Sequence, residues 1–214
     1  MEKIDFKKVD KPFYTGKAWR FDSVDVPKWR FLSIDGTGNP NVSEQYNHAI
    51  TALYGLSYPL KFHSKKTHGR DYVVGPLEGL WWADDMDTFI RGDKDSWKWR
   101  MMIRQPSWQN DEDVELVRKS AIAKAEKTGG EEAQIASLRA VRVGDFTEGP
   151  SVQVLHVGPY SEEGPVIAKM HNEFLPSNGL TFNGHHHEIY LSDVRKVAPE
   201  KLKTILRQPV KQVE

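Results

Sequence analysis

Along Trp97 to Gln105, apolar and polar positions alternate. Trp97, Trp99, Met101 and Ile103 fall on one side and Lys98, Arg100 and Arg104 on the other, the period-two signature of a half-buried strand. Trp29 to Ile34 reads as an earlier strand ending in the turn-rich stretch Asp35 to Pro40. Asn41 with Glu44 three residues on has the form of a capping box, and Tyr46, Ile50, Leu53 and Tyr54 then recur at helical spacing to about Ser57. Tyr72 to Trp82 reads as a strand interrupted by Gly75, Pro76 and Gly79. Asn110 caps a connecting helix through Val114, Val117, Ala121 and Ala125, stopped by Gly129-Gly130. In the second half, Leu138 to Phe146 and Val152 to Val157 are strands flanking the turn Thr147 to Pro150. A helix carries Ile167, Met170 and Phe174, Phe182 to Leu191 is the next strand, and Pro199 opens a C-terminal helix with Leu202, Ile205 and Leu206. The same order in both halves predicts an α+β fold of two pseudo-symmetric β-α-β-β units. Residues 1–25 form a polar surface arm, 26–109 the first half, 110–130 the connecting helix and 131–214 the second half.

Composition narrows the function. With 38% hydrophobic and 28% charged residues, the 214-residue chain has the make-up of a globular domain. Lys plus Arg balances Asp plus Glu, 30 of each, so there is no basic excess for phosphate contacts. The run Lys61 to Arg70 reads as a solvated loop. There is no cysteine, which removes disulfides, thiolate catalysis and Cys-based zinc sites and suits a reducing cytoplasm. No stretch has the length and apolarity of a signal peptide or membrane span, so a soluble cytoplasmic protein is expected. Seven Trp are present, with Trp81-Trp82, Trp97 and Trp99 in neighbouring segments, suited to core packing or to stacking on a flat ligand.

The chemistry concentrates in His185-His186-His187-Glu188-Ile189-Tyr190-Leu191. On a strand, His185, His187, Ile189 and Leu191 share one face, expected beneath the helices. His186, Glu188 and Tyr190 share the other, expected to be open. A carboxylate there suits a cationic partner or, if burial raises its pKa, a general base. His185 and His187 lack a third ligand nearby, so no metal centre and no cofactor are expected. Gly158-Pro159-Tyr160 lacks the phosphate-loop pattern, and no Gly-x-Ser-x-Gly elbow occurs.

Three segments, Pro76-Leu-Glu-Gly-Leu-Trp-Trp82, His156-Val-Gly-Pro-Tyr160 and His185-His-His-Glu-Ile-Tyr-Leu-Ser-Asp193, resemble the GyrI-like small-molecule-binding family from about residue 26 to the C-terminus. Asp193-Val194 stands where relatives usually read Asp-Pro. The resemblance implies two β-α-β-β units with antiparallel sheets around a central ligand cleft. The subgroup it is most similar to is the cyclopropanoid cyclopropyl hydrolases, which open the strained ring of yatakemycin-type DNA alkylators. It implies Glu188 as the central acidic residue; on the same strand face Tyr190 or His186 is expected to donate a hydrogen bond to the reacting carbonyl, and the choice of individual tryptophans is our own inference. Ligand-contacting positions would be Trp81, Trp82, Trp99, Glu78, Met101, His186, Phe182 and Tyr160. The expected partner is a small aromatic molecule, bound by a monomer or homodimer, with hydrolysis or simple sequestration as the outcome. Regulators of the family carry an N-terminal helix-turn-helix that about 25 residues cannot hold, so no direct nucleic-acid binding is expected.

Overall fold

The computed structural model describes residues 3–84 and 93–213. In chain order the principal elements are β1 (Asp22–Val26), β2 (Trp29–Thr37), α1 (Glu44–Thr67), β3 (Leu77–Trp82) and β4 (Lys98–Gln105). There follow α2 (Asp111–Lys127), α3 (Glu132–Ala140), β5 (Arg142–Phe146), β6 (Gly149–Val157) and α4 (Gly164–Lys169). The last are β7 (Leu180–Phe182), β8 (His186–Tyr190) and β9 (Lys203–Gln212). The architecture is α+β with antiparallel pairing, and the order β2-α1-β3-β4 recurs as β6-α4-β8-β9; the two-unit repeat is the expected one, though the hydrophobic pattern placed a helix where β9 runs. The chain packs as two compact units, Met1–Val9 with Trp29–Gly75 and Trp81–Phe146, and Asp10–Lys28 with Pro76–Leu80 and Thr147–Glu214.

In the first unit β2 lies between β4 and β5, and Leu32 pairs with Ile103 and Ile34 with Met101. Helix α1 covers these residues with Ala49, Ala52, Leu53, Leu56 and Leu60, all buried, and packs on α2 and α3. Its N-cap is Ser43, not Asn41: the Ser43 hydroxyl accepts from the Tyr46 N–H at 3.2 Å. The helix also runs past Ser57 and through Pro59 to Thr67, so most of the expected loop at Lys61 to Arg70 is helical. Burial of Leu60 and Ser64 beyond the proline offsets its missing hydrogen bond. Asn110 caps α2 as expected, accepting from the Asp113 N–H at 2.8 Å. Leu138 to Ala140, expected as strand, complete α3, whose buried face is Ile135 and Leu138. One glycine here is required by contact. A Cβ on Gly36 would lie 2.1 Å from the Trp99 ring, which folds flat onto the backbone of its pairing partner.

In the second unit the strand order is β1-β6-β9-β8-β3, with β7 pairing the far end of β9. The expected C-terminal helix is replaced by the central strand β9, after a single 3₁₀ turn at Pro199–Lys201. Every residue from Thr204 to Val210 is buried, so both faces are covered and the strand shows no alternation to read. The expected strand Phe182 to Leu191 is two strands broken at 183–185, where Gln208 Nε2 donates to the Gly184 carbonyl. Residues 22–25, expected in the surface arm, form with Val26 the edge strand β1.

Candidate functional site

Glu188 sits at the middle of β8 and pairs with Leu206 of β9, which pairs in turn with Val154 of β6. Directly paired residues share a face of the sheet. Val154 and Leu206 pack on Val166 and Ile167 of α4. Glu188, His186 and Tyr190 therefore stand on the helix-bearing side, the reverse of the expected assignment. His187 and Ile189 face the other way, where residues 12–15 close over the sheet. Gln153 Nε2 donates to the carbonyls of Pro12 and Thr15, and Arg207 donates to that of Phe13.

On the helix-bearing side Tyr190 Oη donates to Glu188 Oε2 at 2.7 Å, fixing the carboxylate, whose side chain is 14% exposed. His186 Nε2 lies 3.7 Å from Glu188 Oε1. The Tyr160 ring meets Tyr190 edge-on at 5.4 Å, and His171 bridges Phe182 and His186 with ring centroids at 4.8 and 5.9 Å. Tyr160 and Phe182 are each 39% exposed, so they present aromatic surface to solvent. Burial pushes both histidines down, His171 to about 4 and His186 to about 3, the latter helped by neighbouring His171 and His187. At neutral pH the Glu188 side chain thus stands beside neutral imidazoles. A separate pocket of about 430 Å³, lined by Trp19, Leu155, His156, Glu162 and Val166 among others, contains none of these residues.

Of the expected site residues, Glu188, Tyr190, His186, Tyr160 and Phe182 come together here. Glu78 does not: it is buried on the His187 side in an ionic cluster that sequence reasoning missed. His187 Nδ1 binds Glu148 Oε1 at 2.9 Å, and its Nε2 lies 3.1 Å from Glu78 Oε2, out of line for a hydrogen bond. Arg207 Nη1 donates to Glu148 Oε2 at 2.8 Å, and Arg207 Nε to Gln153 Oε1 at 3.0 Å. All four ionic side chains are 1% exposed, two of each sign. Burial alone favours neutral forms, but the partners prevail: His187 is pushed up to about 9 by Glu148 and Glu78, and Glu148 down to about 2 by His187 and Arg207.

These shifts set a pH optimum for stability. The raised His187 stabilises the fold fully below its ordinary 6.5, and that contribution is lost as pH rises through about 9. His171 and His186 act oppositely: below 6.5 the unfolded chain takes up protons that the folded one refuses down to about 4 and 3. Glu148 adds a further loss below 4.5. Urea midpoints measured from pH 4.5 to 9 should peak near 6.5 and fall on both sides. A midpoint still climbing between pH 6.5 and 9 would contradict the His187 assignment.

The expected ligand-contacting residues Trp81, Trp82, Trp99 and Met101 lie in the first unit. Trp81, 4% exposed, meets Tyr46 at 6.0 Å and Trp97 edge-on at 5.8 Å. Trp99 is fully buried against Gly36 and edge-on to Tyr46 at 5.2 Å, and Met101 is fully buried in the core. Trp82 is half-buried.

A family model described as the GyrI-like small molecule binding domain matches residues 21–211. An uncharacterized conserved protein from Listeria innocua, solved by crystallography, is 40% identical, with a TM-score of 0.85 over 98% of this chain and 100% of that one. A hydrolase from the same organism is 39% identical, with a TM-score of 0.79 and the same coverage of both chains. A further crystal structure described as a Listeria innocua hydrolase is 38% identical at a TM-score of 0.81, again covering 98% and 100%. No curated protein matches the chain. Among the described residues, no helix is long and apolar enough to cross a membrane.

Proposed function

We propose, from the premise that this chain belongs to the GyrI-like small-molecule-binding domain family, that it binds flat aromatic xenobiotics at Glu188 and hydrolyses the cyclopropane of DNA-alkylating members of that class. The observation that carries the proposal is the Tyr190–Glu188 hydrogen bond, set among neutral rings on a half-buried sheet face. Support for turnover comes from the two relatives at 38 and 39% identity, each described as a hydrolase.

Tyr190 holds the carboxylate in one orientation, and partial burial keeps bulk water from competing for it. Tyr160 and Phe182 offer ring surface against which a planar ligand rests. Water loses a proton to Glu188 as its oxygen bonds to the strained ring carbon. The carbon–carbon bond of the cyclopropane breaks, and its electron pair passes to the conjugated carbonyl. That oxygen becomes a phenolate and is protonated from solvent, while Glu188 returns its proton. The net change is addition of one water, driven by relief of ring strain and by aromatisation.

Incubating the full chain with a yatakemycin-type cyclopropanoid should convert it to a product heavier by one water, detected by mass spectrometry. Tight binding without that product over many hours would leave sequestration as the function, and absence of binding would remove the site.

A further inference from the structure

At the corner where the C-terminal end of α1 meets the N-terminal end of α2, two histidines converge on one carboxylate, all within the first unit. His63 lies in the closing turns of α1, His68 is its C-cap and Asp113 lies in the first turn of α2. His63 Nε2 is 2.8 Å from Asp113 Oδ1, and His68 Nε2 is 2.8 Å from Oδ2. The three side chains offer ligand atoms within 4.8 Å of one another, among the described residues the one such group of His, Cys, Asp or Glu.

We infer that His63, His68 and Asp113 form a binding site for a divalent transition ion, zinc first. Two imidazoles and a carboxylate are a borderline-soft donor set that suits Zn²⁺, with a fourth position left for water. An ion about 2.0–2.2 Å from each donor separates tetrahedral ligands by about 3.3 Å. The two histidines contact different Asp113 oxygens and the three donor atoms lie within 4.8 Å of one another, so small side-chain rotations bring both Nε2 atoms and one carboxylate oxygen to that spacing. The surroundings hold the ligands in place before any ion arrives. The His68 N–H donates to the Ser64 carbonyl at 2.9 Å, and Ser64 Oγ donates to the Arg70 carbonyl at 2.9 Å. Trp108 Nε1 donates to that same hydroxyl at 3.0 Å, and the Asn110 cap fixes the turn bearing Asp113. Such outer contacts orient metal ligands and lower the ordering cost of binding. Asp113 is 11% exposed, while His63 and His68 are 18% and 30% exposed, so an ion has a path in from solvent. Bound there, it cross-links the C-terminal end of α1 to the N-terminal end of α2.

The test uses the untagged full chain, freed of metal with a chelator and titrated with Zn²⁺ against a chromophoric competitor. One equivalent should bind with a dissociation constant of about a micromolar or tighter, and Co²⁺ should give the visible absorption of a low-coordinate site. His63→Ala and His68→Ala should each weaken binding by at least about 100-fold, while His185→Ala leaves it unchanged. Should either variant fail to fold, imidazole nitrogen NMR of the wild-type chain decides, with Zn²⁺ expected to shift the Nε2 signals of His63 and His68. A wild-type chain that cannot compete for the metal overturns the site. So do equal affinity in all variants and Zn²⁺-dependent shifts confined to other histidines.

Discussion

Replacing Arg207 with Met is expected to cost about 3–5 kcal/mol of folding stability, a large share of what a domain of this size holds. Met approximates the volume of the Arg stem, so the loss comes from charge and hydrogen bonding rather than from a cavity. Glu148 would keep His187 but lose its guanidinium partner, and Gln153 Oε1 and the Phe13 carbonyl would each lose a donor. With Glu148 and His187 each 1% exposed, water cannot substitute. The closure of residues 12–15 over the sheet should loosen at the same time, read as faster amide exchange there. Glu148→Gln is the milder companion. It keeps the side-chain shape and an acceptor oxygen while removing the charge that does most to raise His187. The fall in stability between pH 6.5 and 9 should therefore shrink in that variant. A urea-unfolding loss below about 1 kcal/mol for Arg207→Met would show that the cluster merely breaks even against an apolar replacement.

The parts of this molecule legible from residue order are those whose period and boundaries are local. Strand β4 displays its alternation and Asn110 its cap, and both were readable for that reason. Strand β9 failed the same treatment. Leu202, Ile205 and Leu206 match a helical spacing, and burial on both faces left no alternation to contradict it. The faces of β8 were inverted for a related cause. Ile189 and Leu191 do mark a covered face, but the cover is the segment at 12–15, whose Phe13 and Tyr14 are embedded in a stretch that reads as polar over residues 1–25. That face stays polar because its centre is ionic. Glu78, His187 and Arg207 come from three different strands and Glu148 from the turn between β5 and β6, 39 and 59 residues from its two partners. No local spacing announces such a cluster. The same holds for Asp113, which lies 50 and 45 residues from His63 and His68. The contiguous resemblance around it singles out Glu188, and strand parity puts Tyr190 beside it, where the two hydrogen-bond at 2.7 Å.

That adjacency supplies the sharpest test of the proposed chemistry. Glu188→Gln retains an oxygen to accept from Tyr190 but cannot take a proton from water. If Glu188 acts as general base, turnover of a cyclopropanoid should fall by roughly 10²–10⁴-fold, with affinity for the neutral substrate nearly unchanged. Tyr160→Ala should do the reverse. It removes ring surface that is 39% exposed and edge-packed on Tyr190, so binding should weaken by about 1 kcal/mol or more while turnover of bound substrate changes little. Tyr190→Phe lies between them, since losing the 2.7 Å bond frees the carboxylate to rotate without abolishing its basicity. Its rate should drop less than that of Glu188→Gln, because the carboxylate keeps both oxygens and loses only its fixed orientation. Single-turnover kinetics separates binding from chemistry in all three. If Glu188→Gln hydrolyses at the wild-type rate yet binds cationic aromatics more weakly, Glu188 is a counter-ion, and the face it occupies recognises charge rather than activating water.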